Sequence, residues 1–174
     1  GLVLGLLQGL LIARFKLAPF LVTLGGLFFA RGVALAISRE SVQIEHPLVS
    51  TLASEGLKFS KGVTLTWNGI MFVLFVVLGV FLARQTRFGR TVYAIGGNPP
   101  SVGPMGLPVT ATLVKGYAFR GLCAGRGGVI FATYTASGNA LSGTGLELDA
   151  IAAVVIGGTL LSGGYGSVIG TLFG

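Results

Sequence analysis

Charge is what this sequence has least of. Only 10% of its 174 residues are Asp, Glu, Lys or Arg, against about 25% in a typical soluble domain. So few charged side chains cannot cover a water-facing surface. Hydrophobic residues make up 52% of the chain, and its mean hydropathy is +0.87. The composition is that of a membrane protein. Cysteine is almost absent: the single Cys123 excludes an internal disulfide and any Cys-x-x-Cys metal or redox motif, and its apolar setting suits a filler side chain. Histidine is as scarce. His46 has no Cys or Asp nearby, so neither a metal site nor a Ser-His-Asp triad has material to build on. No catalytic residue, metal or cofactor is expected. "GGTLLSGGYGS" suggests a phosphate loop, but the chain contains no Gly-Lys pair and therefore no Walker A motif. If the protein does energy-driven work, the energy must come from another subunit.

Acidic residues are also few, 5 against 12 basic ones, for a net charge of +7. The cations stand singly or in threes between apolar runs, not along one stripe. Anchoring at the cytoplasmic face explains them better than nucleic-acid binding.

What the chain does have is long apolar runs. A spanning helix needs about 20 mostly apolar residues. Five segments qualify whole or in part: 1–13 (partial), 17–37, 63–83, 110–136 and 148–174 (broken). Both ends of the chain lie in apolar stretches, as expected of a piece from the middle of a longer membrane protein. Arg14 and Lys16 follow the first segment, and Arg84, Arg87 and Arg90 follow the third. Two spans separate these purely basic turns, which places both in the cytoplasm. The loop 38–62 balances Arg39, Lys58 and Lys61 against Glu40, Glu45 and Glu55, and is expected outside. The stretch 97–109, "GNPPSVGPMGLPV", is then cytoplasmic.

Two segments carry irregularities. In 110–136, Lys115 can snorkel to an edge, but Arg120 and Arg126 lie deeper, at about 2.5–3.5 kcal/mol each near a helix centre. Either they face a polar cavity or the copy is damaged. In 148–174, glycines at 157–158, 163–166 and 170 predict a short or re-entrant helix, a turn, and the start of another helix. Glycine also recurs every four residues at Gly1, Gly5 and Gly9, at Gly121 and Gly125, and at Gly166, Gly170 and Gly174. These stripes are expected to be packing faces.

Three charged residues are candidates for a site. Arg31 is intramembrane by position, which suits either a functional role or a structural one bonded to carbonyls. Glu147 and Asp149 form the nearest carboxylate pair. Asp149, just before an apolar run, suits a helix N-cap; the alternative is that the pair lines a polar pathway.

Together, "LLIARFKLAPFLVTLGGLFFARGVAL", "TRFGRTVYAIGGN", "MGLPV" and "GTGLELDAIAAVVIGGTLLSGGYGSVIGTLFG" resemble the permease subunits of bacterial ABC sugar importers of the ribose, xylose and galactofuranose type, most nearly the galactofuranose permeases. The resemblance covers essentially the whole chain. It implies an all-α, polytopic bundle in the bacterial inner membrane that dimerises with a second permease subunit, identical or not. It also implies a periplasmic sugar-binding protein and cytoplasmic ABC ATPase subunits as partners, with membrane lipid around the bundle. The ATPase would dock on the loop after "GRTVYAIGGN", through Gly97, Asn98, Ser101, Met105 and Gly106. Arg31, Glu147 and Asp149 fall within family patterns. The chain departs from the family at Pro99, Pro100, Gly103 and Pro104. An interior proline costs about 3 kcal/mol in a helix, which disfavours a regular coupling helix across 98–106, although Pro99 or Pro100 fits a first turn. Alternative readings are a non-functional permease fragment and an energy-independent channel or facilitator.

Overall fold

Where apolar runs are interrupted by residues that cannot continue a helix, the chain turns. Helix α1 (Leu2–Phe15) ends at Lys16, whose backbone is left-handed at φ 53°. Three residues later Pro19 opens α2 (Pro19–Ile37) in its first turn, where no backbone N–H is missed. The structure, a computed structural model, describes residues 1–44, 56–60, 63–102 and 104–174. The expectations placed on Glu45, His46, Glu55, Lys61 and Gly103 lie outside the described residues. After α2 come strands β1 (Val42–Gln43), β2 (Gly56–Ser60) and β3 (Val63–Thr66). Helices α3 (Trp67–Gln85), α4 (Arg87–Gly97), α5 (Pro99–Val102) and α6 (Val109–Thr135) follow, then strand β4 (Ser137–Gly138) and helices α7 (Leu146–Ile156) and α8 (Val168–Phe173).

The chain is mostly helical, with short strands the sequence reading did not contain. β2 and β3 form an antiparallel hairpin, pairing Gly56 with Thr66 and Leu57 with Leu65. The apolar segment expected to start its helix at residue 63 is therefore extended through Thr66. "VTLT" alternates and holds two β-branched threonines and a valine, a strand composition; the helix begins at Trp67. α2 and α3 are each 19 residues long and apolar enough to cross a membrane. At 1.5 Å per residue each is about 28 Å long, close to the hydrocarbon thickness of a bilayer. Their large side chains point outward, Phe20, Phe28, Phe72 and Val77 among them, and neither helix has a buried residue. That is the surface a lipid solvent favours.

The molecule divides into two units, Gly1–Val73 with Tyr117–Ser142 and Leu74–Gly116 with Gly143–Gly174. In the first, α1 crosses α6 at backbone contact. A Cβ on Gly121 would lie 2.5 Å from the Gly1 carbonyl oxygen and 2.9 Å from Gly5 Cα. One on Gly5 would strike the Tyr117 carbonyl, and one on Gly125 would lie 3.3 Å from Gly1 Cα. The two expected glycine stripes thus meet each other. α2 folds back on α1, with the Gln8 amide occupying the place a Cβ on Gly26 would take. Beyond the helices, β1 pairs antiparallel with β4, Val42 opposite Gly138 and Gln43 opposite Ser137. The Ile44 N–H extends this link, donating to the Ala136 carbonyl at 3.0 Å.

In the second unit the glycine-rich C-terminal segment is two short helices with a turn between. α7 ends in a left-handed Gly158 at φ 82°. The Gly158 N–H donates to Val155 O at 2.9 Å and the Thr159 N–H to Val154 O at 3.1 Å. This pair of bonds satisfies the last carbonyls of α7 and requires a residue without a Cβ penalty at 158. Ser167 caps α8, accepting from the Gly170 N–H at 3.3 Å. α8 lies against the end of α7: a Cβ on Gly157 would fall 2.6 Å from Gly170 O, and one on Gly174 would be 2.7 Å from Gly157 N.

Candidate functional site

The loop singled out from the sequence is built by α4 and α5. α4 starts at a sharp corner after α3. The Thr86 hydroxyl donates to Leu82 O at 2.6 Å and accepts from the Gly89 N–H at 3.1 Å, so one side chain closes α3 and caps α4. Gly89 is buried there, and a Cβ on it would strike the Ala83 and Leu82 carbonyls. Replacing Thr86 by Ala is expected to cost about 1 kcal/mol, the usual loss for a threonine N-cap. Amide hydrogen exchange at Gly89 and Arg90 should quicken, while α2 amides stay as they were.

α4 has three faces at helical spacing. Arg87 and Arg90, with Arg84 just before them, are exposed. Phe88, Val92 and Ile95 make an apolar stripe, with the Phe88 ring 3.9 Å from where Gly116 would carry a Cβ. Gly89, Tyr93 and Gly96 form the third face, which lies against backbone. The Tyr93 hydroxyl donates to the Gly166 carbonyl at 2.9 Å. A Cβ on Gly96 would be 2.6 Å from Gly164 N, and one on Gly164 would be 2.6 Å from Gly97 Cα. The sequence reading used "GRTVYAIGGN" only as a family marker and missed this face. The signal was available in the spacing of Gly89, Tyr93 and Gly96.

Asn98 then ends α4, its N–H donating to Ala94 O at 3.2 Å, and its own carbonyl accepts from the Ser101 N–H at 3.2 Å. α5 is a single turn, Pro99–Val102. Pro99 and Pro100 stand in the first turn, where their lack of an N–H costs nothing. The helix stops before Pro104, which would have needed an i−4 carbonyl and could not donate to it. Val102 is 3% exposed and fixes the loop to the protein, whereas Met105 is 74% exposed. Gly106, at φ 70°, turns the chain back toward α6. Gly97, Asn98 and Ser101 are exposed as well. The result is a pinned loop that displays a large, flexible apolar side chain among small polar ones.

The charged candidates are placed differently. Arg31 is half-buried on α2 in the first unit. Glu147 and Asp149 share the first turn of α7 in the second unit, both exposed. Asp149 is not the N-cap. Gly145, at φ 93°, holds that position, and α7 begins three residues before Asp149. The glycine turn of Gly143 and Gly145, both with positive φ, starts the helix earlier than the apolar run suggests. Glu147 makes the local bond instead, its Oε2 accepting from the Gly145 N–H at 3.2 Å. Both carboxylates still sit where the helix dipole favours negative charge. On α6, the Arg120 guanidinium lies over the Tyr117 ring, 5.7 Å from its centroid, and Arg126 donates to Met71 Sδ at 3.1 Å. Among the described residues no three of His, Cys, Asp and Glu come together as a metal site would require.

Two bilayer-length helices and glycine crossings at backbone distance are consistent with a membrane-embedded helical bundle. Residues 1–174 match the family described as the branched-chain amino acid transport system / permease component. The chain belongs to this family. The chain is 49% identical over 174 residues to the inner membrane ABC transporter permease protein YjfF of Escherichia coli K12, covering 100% of this chain and 53% of the relative. It is 37% identical over 180 residues to the fructose import permease protein FruG of Bifidobacterium longum, again covering 100% of this chain and 53% of the relative. Against the ribose import permease protein RbsC of Bacillus subtilis it is 40% identical over 174 residues, covering 96% of this chain and 51% of the relative. The chain thus spans about half the length of the curated relatives it matches. No solved structure matches.

Proposed function

We propose that this chain is part of the membrane-spanning permease subunit of an ATP-driven sugar importer in the bacterial inner membrane. It contributes helices to the translocation path, and its 97–106 loop docks the ATPase subunit that supplies the energy. A periplasmic sugar-binding protein delivers the substrate, and a second permease subunit completes the path. The observation that carries this reading is the loop itself. Val102 pins it, α4 and α5 brace it, and Met105 stands out from it between Pro104 and Gly106. Methionine adapts its shape to a partner groove. An exposed apolar side chain on a fixed loop suits a protein contact better than a solvated linker. The names of the relatives, import permeases for fructose and ribose among them, support the sugar class.

The proposed topology has support in the first unit. Antiparallel β1–β4 pairing holds the ends of α2 and α6 together, as required if both helices emerge on the outer side. The basic residues Arg84, Arg87 and Arg90 then border the docking loop on the cytoplasmic side.

The test is co-purification of the whole protein carrying this sequence with an ATPase encoded beside it. Met105→Asp is expected to weaken that association at least about tenfold, the effect of losing one central contact residue. Met105→Leu should retain it. Equal association of the Asp variant would remove the docking role from this loop. Transport without any ATPase would favour a facilitator.

A further inference from the structure

The contact between α4 and the C-terminal glycine turn joins segments far apart in sequence and borders the docking loop at Gly97. Tyr93 and Gly166 are linked by one hydrogen bond across 73 positions. Beside it, Gly96 and Gly97 touch Gly163 and Gly164 backbone to backbone. A Cβ on Gly163 would lie 2.8 Å from Gly96 O, and both Gly163 and Gly164 need positive φ, at 92° and 80°. The turn is braced internally as well. Leu160 N–H donates to Tyr165 O, and Gly163 N–H to Leu160 O, each at 3.0 Å. Two rigid pieces meeting at backbone distance, with a directional bond at one edge, cannot slide freely over each other.

We propose that Tyr93 and the glycine pairs Gly96–Gly97 and Gly163–Gly164 form a mechanical joint. Through it, displacement of the docking loop is passed to α7 and α8, and so to the end of α7 that carries Glu147 and Asp149. This rests on the docking reading above. α4 ends at Gly97, the first residue of the docking loop, so a push on that loop acts on α4 directly. The joint carries the push to the turn after α7, and α7 spans about 15 Å from there to its acidic first turn. Tyr93 is a positioning residue: its hydroxyl holds the two pieces in register.

The experiment uses the whole protein in nanodiscs with its ATPase and binding protein, in a Cys123→Ala background. Spin labels at Ala94→Cys and Leu161→Cys should give one narrow distance distribution that does not change on ATP binding. Adding Tyr93→Phe should broaden it. A broad distribution without that substitution overturns the joint. Tyr93→Phe is further expected to leave ATPase association unchanged while raising the ATP hydrolysed per sugar carried about fivefold, the population change that follows loss of one ordinary hydrogen bond. A purely structural role would lower transport and hydrolysis together and leave that ratio alone. Normal association with an unchanged ratio overturns the inference and leaves docking intact. Absence of ATPase association in the unsubstituted protein overturns docking itself, and the transmission role with it.

Discussion

Replacing Arg120 by Ser and Arg126 by Leu is expected to raise the inserted fraction of α6 by about 5 kcal/mol in apparent free energy, since a charge at a helix centre costs about 2.5–3.5 kcal/mol. The two arginines are the twelfth and eighteenth of the helix's 27 residues. They therefore bracket its middle, out of reach of either end. Six positions apart, they lie about 120° from each other around the axis, so one narrow polar groove would not serve both. The contacts they make offer partial compensation. A ring face attracts Arg120, and the thioether that Arg126 meets is a weak acceptor. A glycosylation-site insertion assay comparing the two helices reads the difference. Equal insertion would mean both guanidinium groups already sit in polar surroundings within the complete bundle.

The apolar runs and the glycine spacings were legible in the sequence because both are local properties of one helix. Membrane class, the approximate course of α2, the break after Ile156 and the role of the Gly1–Gly5 and Gly121–Gly125 stripes as packing faces could be read from periodicity and composition; that the two stripes meet each other could not. What escaped depended on pairing between distant segments. The β1–β4 contact joins two residues on each side, too short to leave an alternation in either stretch. The Tyr93–Gly166 bond has no local signature at Gly166, where only the carbonyl takes part. Asp149 failed as an N-cap for a different reason. The positive-φ glycines at 143 and 145 began the helix upstream, and a rule based on the side chain before an apolar run does not see them. In the 97–106 loop, prolines disfavoured a helix over the whole stretch, and the one turn formed is the part they permit.

Gly121→Leu should be the most damaging single change at the α1–α6 crossing. A Cβ there meets the Gly1 carbonyl and the Gly5 Cα. Backbone cannot rotate aside as a side chain can, so the helices must separate. Overpacking of this kind costs about 3 kcal/mol or more, and lost contact along the crossing adds to it, because close packing drives helix association in lipid. Thermal unfolding in detergent should show a marked fall in midpoint. Gly127→Leu, six residues along the same helix with open space around its Cα, is the control and should leave the midpoint nearly unchanged. If both variants unfold alike, helix propensity and not the crossing governs stability.

That crossing also sets an order of events. α1 leaves the ribosome before α6, but the glycine face that Gly1 and Gly5 meet lies on α6, on the order of 120 residues later; at about 5–20 residues per second the wait is on the order of ten seconds. Throughout that interval α1 has only α2 from this unit to lean on, with Gln8 seated on Gly26. Gly1 and Gly5 meanwhile lack the α6 backbone they pack against in the folded unit. The first unit is closed only when α6 arrives and β4 reaches β1, so its assembly belongs to the late stage of synthesis. A ribosome stalled before residue 117 would leave α1 inserted and α6 missing, the state most exposed to membrane proteases.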